Sequence, residues 1–201
     1  FNSDAEGNPL PPNEAVNTLL RAAASETDQA KRTSMYEEAN QLIHEAVLAV
    51  PLVHRTPPLL FSADISGYTP SPLQTNLQGV SVPGSDRLVY AHPEDATKLD
   101  PADVSDSESL LATWHIYEGL TRYKPGSTEV EPALASSWTV SEDGLTWTFE
   151  LRNGVTFHDG EPFDAAAVVW NFNRWFDPTH PQHFKEWLFD YWASMFLGFK
   201  E

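Results

Sequence analysis

The chain has 201 residues, of which 41% are hydrophobic and 20% charged, a composition typical of a soluble folded protein. Its formal net charge of −17 repels phosphate backbones and anionic lipid headgroups, so we expect no nucleic-acid partner. The absence of cysteine excludes disulfides, thiolate catalysis and cysteine-ligated metals. No apolar run approaches the roughly 20 residues that a membrane-spanning helix needs. No signal peptide is recognisable, and we expect any secretion signal to lie outside this chain.

Two helices are predicted in the first quarter of the chain. Apolar residues recur at helical spacing after Asn13, a predicted N-cap. A second helix is predicted over residues 28–47, because its apolar residues form one stripe and its glutamates face water. Pro51 prevents its continuation. Short strands are predicted at 52–54 and 59–61, followed by an irregular stretch that leads into a linker.

The second half of the chain is predicted to alternate between short helices and strands. A short apolar strand is predicted at 88–91, and a helix capped by Ser105, Asp106 or Ser107 follows. The helix has an apolar face, and one further helical turn is predicted at 132–135. The apolar face comprises Leu110, Leu111, Trp114 and Tyr117.

A β-hairpin with one buried face is the clearest strand signal. Apolar and polar residues alternate over 145–151, and Trp138 and Val140 precede them across a turn at 141–144. Asp164 is predicted to cap a helix that continues to about Phe176. The tail from 184 to 199 is rich in aromatic residues and forms either a buried helix or a surface that awaits a partner. Mixed helices and strands without a βαβ period predict an α/β or α+β class.

No catalytic motif is present, and we predict that the protein is not an enzyme. The chain lacks nucleophile elbows, zinc-protease pairs and phosphate loops. His180 and His183 are three residues apart and His158 lies beside Asp159, but Pro181 stands between the first two histidines. Without a third ligand, a structural role is favoured over metal binding, and we expect no metal or cofactor.

Two features are candidates for ligand recognition. Several of the seven tryptophans are explained as core residues, but Trp187 and Trp192 in the tail remain free to stack on a ligand. The loop holding Ser105, Asp106 and Ser107 precedes a helix N-terminus, whose amides and hydroxyls suit a ligand carboxylate or carbonyl. Plain N-capping is the simpler explanation of that loop from its residues alone.

A series of sequence blocks resembles the N-terminal part of family 5, the peptide/nickel family, of ABC-transporter solute-binding proteins. At 163–165 the segment FDA stands where the family begins a helix, with Ala167 replacing a usual aspartate. The other matching blocks are 99–101 (LDP), 116–120 (IYEGL), 131–135 (EPALA), 138–145 (WTVSEDGL), 149–155 (FELRNGV) and 157–160 (FHDG).

Residues before the linker resemble the other end of the same family, so the order is reversed. These blocks are 27–28 (TD), 31–32 (KR), 36–39 (YEEA), 50–54 (VPLVH), 67–68 (GY) and 71–72 (SP). The resemblance implies a circularly permuted fragment in which 1–80 represents the C-terminal part of lobe I, 81–87 the junction, and 88–201 the N-terminal part of lobe I. Joining the ends is physically reasonable, because domain termini often lie close together.

The resemblance implies an α/β, periplasmic-binding-protein-like (type II) lobe with a mixed sheet. It implies extracytoplasmic capture of a peptide or similar small solute for the membrane permease of an ABC importer. By position, Ser105, Asp106 and Ser107 match the loop that contacts the ligand backbone in peptide-binding relatives. Two alternatives stay open: a non-ligand-binding interaction module whose tail docks the missing lobe or a second copy, and capture of nickel or another metal complex.

Overall fold

The computed structural model describes residues 13–53, 62, 64–184, 186, 189–196 and 198–200. Within that part, five helices and four strands follow one another in the order α1–α2–α3–β1–β2–β3–β4–α4–α5. No helix in the described part is long and apolar enough to cross a membrane. The elements are α1 Glu14–Ser25, α2 Gln29–Glu45, α3 Ser107–Ile116, β1 Thr121–Tyr123, β2 Val130–Pro132, β3 Ala135–Val140, β4 Trp147–Leu151, α4 Ala165–Phe176 and α5 Asp190–Phe196.

The chain divides into two units, and the first is a helical hairpin. It comprises the described residues of Phe1–Leu60 together with Val140–Thr146. Asp28 ends the turn between α1 and α2 as the N-cap of α2, its side chain accepting the amide of Lys31 at 2.9 Å. Ala23 and Ala39 are 0% and 2% exposed, and such small side chains let the two helices approach closely.

The second unit contains α3, β1, β2, α4 and α5, with most of β3 and β4. Strands β1 and β2 pair antiparallel, and β3 and β4 form a second two-stranded sheet. The amides of Ala133 and Ala135 both donate to the carbonyl of Leu120, at 3.1 and 2.9 Å. The chain therefore passes directly from the first sheet into the second.

A paired charge anchors α4 to the loop that precedes α3. The guanidinium of Arg174 donates to both carboxylate oxygens of Asp100, at 2.5 and 3.1 Å. Arg174 is buried and the side chain of Asp100 is 23% exposed. A bidentate pair of this kind fixes orientation as well as distance between two segments far apart in sequence.

Several local predictions are confirmed. The predicted helix 28–47 corresponds to α2, and Asp164 caps α4 through a bond from the amide of Ala167 at 2.9 Å. The hairpin is present as β3 and β4 around the turn at 141–144. The prediction of a mixed helix and strand class is confirmed as well.

Other local predictions are wrong. Residues 88–91 form no strand, and 132–135 form no helical turn, because the carbonyl of Leu120 holds their backbone in the passage between β2 and β3. Leu52 and Val53 are not in a strand, and the second strand predicted at 59–61 lies outside the described residues.

Burial of the apolar stripes is also lower than predicted. On α3 the buried residues are Ser109 and Thr113, whereas Trp114 and Tyr117 are exposed. On α4 the apolar residues Val169, Phe172 and Phe176, for which the sequence predicts an inward orientation, are exposed, and Arg174 is the buried residue. On β4 Trp147 is 51% exposed, so the hairpin face is only partly covered.

Removing the carboxylate that neutralises Arg174 should destabilise the second unit. We expect Asp100→Asn to lower the free energy of unfolding by about 3 kcal/mol, because it removes the carboxylate that forms a bidentate pair with a buried guanidinium. Urea denaturation followed by tryptophan fluorescence measures the change. The control is Glu129→Gln, which breaks the exposed pair between Lys124 and Glu129 and should cost under about 1 kcal/mol. Equal effects of the two substitutions would contradict an anchoring role.

Candidate functional site

The loop before α3 is shaped by its central aspartate. Asp106 is the N-cap of α3, and its carboxylate accepts the amide of Ser109 at 2.8 Å and the hydroxyl of Thr97 at 3.1 Å. The hydrogen bond from the Ser109 amide is the main reason that the pKa of Asp106 lies below its ordinary value. Asp106 therefore holds the loop in place and keeps few acceptor positions free for a ligand.

Ser109 extends the same network into the chain before the loop. Its hydroxyl oxygen accepts the amides of Thr97 and Lys98, at 2.9 and 3.2 Å, and the residue is 0% exposed. A serine on the inner face of α3 is thus satisfied by backbone donors of a neighbouring segment. This accounts for the polar buried face of α3 that hydrophobic periodicity did not predict.

Ser105 and Ser107 present their hydroxyls on the exposed side of the loop. Ser105 Oγ donates to Asp190 Oδ2 at 3.4 Å, which connects the loop to the first residue of α5. Ser107 Oγ donates to its neighbour Glu108 at 2.9 Å. Both bonds are exposed, so a ligand acceptor can replace them at low cost.

The structure describes one of the two tryptophans of the predicted site. Trp187 lies outside the described residues. Trp192 on α5 is half-buried, its indole nitrogen donates to the carbonyl of Gly198 at 3.0 Å, and its ring stacks on Phe196 at 4.2 Å. The rings of Phe172, Trp175 and Phe176 on α4 also lie within 6.4 Å of Trp192. The structure therefore places Trp192 in an aromatic cluster between α4 and α5.

Two cavities flank α3, and sequence reasoning missed both. The larger has a volume of about 360 Å³ and the smaller about 330 Å³. Both are lined by Gln74, Thr75 and Trp114, so they adjoin each other along the helix. Ser107, one of the predicted site residues, lines the smaller cavity. Volumes of about 300–1,000 Å³ are typical of small-molecule sites.

The two cavities together form a groove along α3. One wall of this groove is the segment 74–78, which belongs to the stretch that is predicted to be irregular. The amide of Leu77 donates to Nε2 of His115 at 3.1 Å, and Nδ1 of the same ring donates to the carbonyl of Leu111 at 2.7 Å. These two bonds require the neutral imidazole with its proton on Nδ1. No local signal identifies this long-range contact, because it joins residues 38 positions apart.

The histidines considered as metal ligands are already used by the fold. His183 Nδ1 lies 2.7 Å from the carbonyl of Arg174, and His180 Nδ1 accepts the amide of Gln182 at 3.2 Å. The ring of His180 also packs edge-on against Trp170. Among the described residues, no group of three His, Cys, Asp or Glu side chains is arranged to hold a metal ion.

Comparison with known families gives a match in the second half of the chain. Residues 129–191 match the model of the bacterial extracellular solute-binding proteins, family 5 Middle. The match contains β2, β3, β4 and α4, together with the first two residues of α5.

Curated relatives support the same family. The heme-binding protein A of Haemophilus influenzae is 41% identical over 103 residues, which are 48% of this chain and 19% of that protein. The di/tripeptide-binding protein 2 of Pseudomonas aeruginosa is 44% identical over 92 residues (42% of this chain, 17% of the relative). The nickel-binding periplasmic protein of Escherichia coli is 41% identical over 92 residues (46% and 17%). The matched stretch thus spans under a fifth of each of these relatives.

A solved structure is also similar. It is the ABC transporter-associated periplasmic binding protein DppA from Helicobacter pylori in complex with the peptide STSA, with 39% sequence identity and a TM-score of 0.46. The similarity covers 51% of this chain and 22% of that one.

The cap at Asp106 should make the second unit sensitive to acid. Because its folded pKa is lowered, its contribution to stability is complete above the unfolded value of about 3.9 and is lost as the pH falls through the folded value. We expect Asp106→Asn, which keeps a capping side chain, to weaken the loss of stability below about pH 4. Urea unfolding at pH 7 and at pH 3 measures it. The exposed Asp86→Asn is the control, and an equal change there would argue against a special role of the cap.

Proposed function

We propose that this chain belongs to the bacterial extracellular solute-binding proteins of family 5 and that it captures a small solute by binding and not by catalysis. The family match over 129–191 is the observation that carries the proposal. The relatives include proteins named for binding di- and tripeptides, glutathione, heme and nickel. We propose a peptide-like solute, because two of these four solute types are peptides: the di- and tripeptides, and glutathione, which is a tripeptide.

The setting that we propose follows from the family. The protein acts outside the cytoplasm and delivers its solute to the membrane permease of an ABC importer. A periplasmic location is part of the names of two Escherichia coli relatives. The net charge of −17 is compatible with a neutral or cationic solute and unfavourable for a polyanion.

We propose that the solute meets the loop before α3. Ser105 and Ser107 offer exposed hydroxyls for the ligand backbone, and Asp106 positions them by capping the helix. For Trp192 the proposal is restricted to stacking, since its indole nitrogen already donates to Gly198. Trp187 remains part of the proposal on sequence grounds alone.

We also propose that the segments on either side of 81–87 contribute to one lobe. The contact between Leu77 and His115 crosses that junction, and the two cavities are lined from both sides of it. In the first unit, Gly144 lies close enough to Thr27 that a Cβ on the glycine would be 3.3 Å from the threonine methyl. Contacts within each unit thus join residues from before and after the junction, which supports a shared lobe built from two permuted pieces.

The binding proposal predicts a stabilised protein in the presence of solute. A mixture of di- and tripeptides at about 100 times Kd should raise the melting temperature by about 5 °C or more, because ligand binds the native state only. The double variant Ser105→Ala with Ser107→Ala should lose most of this shift. Ser34→Ala, an exposed serine on α2, is the matched control and should keep it.

Parallel melts with nickel chloride, heme and glutathione separate the solute classes. A shift with nickel that His183→Ala abolishes would replace the peptide proposal by metal capture. No shift with any of the four probes would overturn solute capture by this chain.

A second candidate function, an interaction module, is favoured by the exposed aromatic surface of α4 and α5. Phe172 and Phe176 are 39% and 43% exposed, and Met195 and Phe196 are 70% and 57% exposed. Apolar groups clustered at a surface usually mark an interaction site. We propose that the missing lobe or a second copy of the chain covers this surface.

Polar substitutions on that surface should reduce its affinity for apolar probes. We expect Phe176→Ser with Phe196→Ser to lower the fluorescence of bound anilinonaphthalene sulfonate and to shift any concentration-dependent oligomer towards monomer in sedimentation runs. Leu145→Ser, which alters an 83% exposed apolar residue in the hairpin turn, is the control and should change neither. Unchanged dye binding in the double variant would count against an apolar docking surface.

A further inference from the structure

Residues 67–80, the strap, form a surface loop that is closed at its base. Ser66 and Ser81 exchange two backbone hydrogen bonds as an isolated antiparallel bridge, with N···O distances of 3.1 and 2.9 Å. Just inside that bridge the two backbones lie so close that a Cβ on Gly67 would overlap the carbonyl oxygen of Gly79. Loops whose ends meet in this way are compact units on a fixed base. The strap contains the segment 74–78 that forms one wall of the groove.

A single hydrogen bond connects the middle of the strap to α3. In the described part of the chain, the bond from the Leu77 amide to Nε2 of His115, 3.1 Å long, is the one that joins residues 71–78 to that helix. The amide of Val80 donates to the carbonyl of Leu77 at 3.0 Å, and this bond stays within the strap. The polar attachment of the wall to α3 therefore depends on one ring nitrogen.

That ring nitrogen can take up a proton. The carbonyl of Leu111, 2.7 Å from Nδ1 of His115, only accepts, so Nδ1 carries a proton whatever the charge of the ring. Nε2 accepts the Leu77 amide only while its lone pair is free. A second proton on Nε2 makes two N–H groups face each other across 3.1 Å. Because the bond to Leu111 holds the ring, the ring cannot turn away without losing that bond as well.

No fixed charge on the strap can replace the lost contact. Residues 67–80 contain no Asp, Glu, Lys, Arg or His. The larger cavity, which His115 lines, also brings one carboxylate, Glu118, and one guanidinium, Arg122, which already donates to Glu131 at 2.8 Å. The other titratable residues of that lining are Tyr117 and Tyr123. An imidazole is the side chain of this set whose charge ordinarily changes between about pH 5 and 8.

The histidine of the smaller cavity responds to acid in the opposite sense. Nδ1 of His92 lies 3.8 Å from a carboxylate oxygen of Glu108, so a positive charge on that ring adds an attraction. This pair connects His92 to α3 and not to the strap. Of the two histidines that line the groove, His115 is thus the one whose charge acts on the wall.

We propose that His115 is a pH-sensitive latch of the groove. The neutral ring holds the strap against α3, and protonation of Nε2 releases the middle of the strap. Gln74 and Thr75 line both cavities and belong to the released part, so release widens both. Protonation of histidines at interfaces is a common way to drive such transitions.

The released movement is local and has a low cost. The base of the strap stays closed through Ser66 and Ser81. Its start stays beside the turn between β1 and β2, where a Cβ on Gly126 would lie 2.9 Å from the methyl carbon of Thr69. The bond that breaks is exposed, so water takes over the Leu77 amide and no buried donor is left unpaired.

This inference rests on the proposed capture of a solute and regulates the same groove. A solute that contacts the wall binds more tightly while the wall is in place, so acid should weaken its binding. By linkage, the bound solute should in turn disfavour protonation of His115.

Hydrogen exchange in NMR spectra tests the latch on the whole 201-residue chain without any solute. Rates are divided by the intrinsic rate at each pH, and the resulting protection factor of the Leu77 amide should fall about tenfold between pH 8 and pH 5. The Val80 amide, bonded within the strap, is the internal reference and should change little. The ring 15N signals of His115 should titrate at the same midpoint as the Leu77 amide, a check that needs no variant.

Two substitutions separate the charge of the ring from its acceptor. His115→Gln keeps an acceptor near the position of Nε2 but takes up no proton, so Leu77 should stay protected at both pH values. His115→Phe keeps a ring without an acceptor, so the protection should be low at both. His44→Gln removes an exposed histidine of α2, and this matched control should keep the pH dependence of the original chain.

Melting with the mixture of di- and tripeptides then connects the latch to the solute. Stabilisation at pH 5 should be at most half of that at pH 8, and His115→Gln should remove the difference. Leu77 protection that is equal at both pH values, or that falls equally in His115→Gln, overturns the latch. A working latch without stabilisation by any solute keeps the latch and overturns solute capture. A working latch with equal stabilisation at both pH values keeps solute capture and overturns its regulation by His115.

Discussion

The geometry around α3 depends on the hydroxyl of Ser109. This oxygen is fully buried and accepts two backbone amides from the segment at 97–98, while the amide of the same residue is held by Asp106. Leaving a buried backbone donor unpaired costs about 1–3 kcal/mol, so the arrangement allows little freedom. It turns the polar side of α3 inwards. The aromatic side, with Trp114, is thereby left to face the groove.

Polar anchors carry a large share of the positioning because the apolar core is modest. Among the described residues, most of the buried hydrophobic side chains are small: four are alanines, at 23 and 39 in the helical hairpin and at 133 and 135 beside the sheet junction, and Phe189 is the large exception. The pair between Asp100 and Arg174 supplies what side-chain packing does not, a directional link between α4 and the loop before α3. The same shortage of apolar partners explains why the aromatic residues of α4 and α5 are largely exposed.

Local chemistry was predictable from sequence, and long-range contacts were not. The capping residues Asn13 and Asp164, and Asp106 as one of three candidates, were recognisable because the bond each one makes spans three residues. The hairpin was recognisable from its alternation around a glycine turn. Burial failed as a prediction on α3, where hydrophobic periodicity favoured the Trp114 side. The face of α3 that is buried is instead determined by the backbone amides at 97–98, which bond to Ser109. No periodic pattern in the sequence reveals these donors.

The groove illustrates the same limit for the candidate site. Its outer wall is set by one bond from Leu77 to His115, and its floor by the register of β1 with β2. Sequence reasoning identified Ser107 at one end but had no means of finding the wall. In the sequence block IYEGL, a Cβ on Gly119 would lie 2.9 Å from the carbonyl oxygen of Thr121.

For Gly119, this close approach is a physical reason for glycine beyond chain flexibility. Its φ is not in the left-handed region, so the requirement for glycine here comes from the close approach of a backbone oxygen and not from the backbone angle. A side chain at this position would therefore collide with the Thr121 carbonyl.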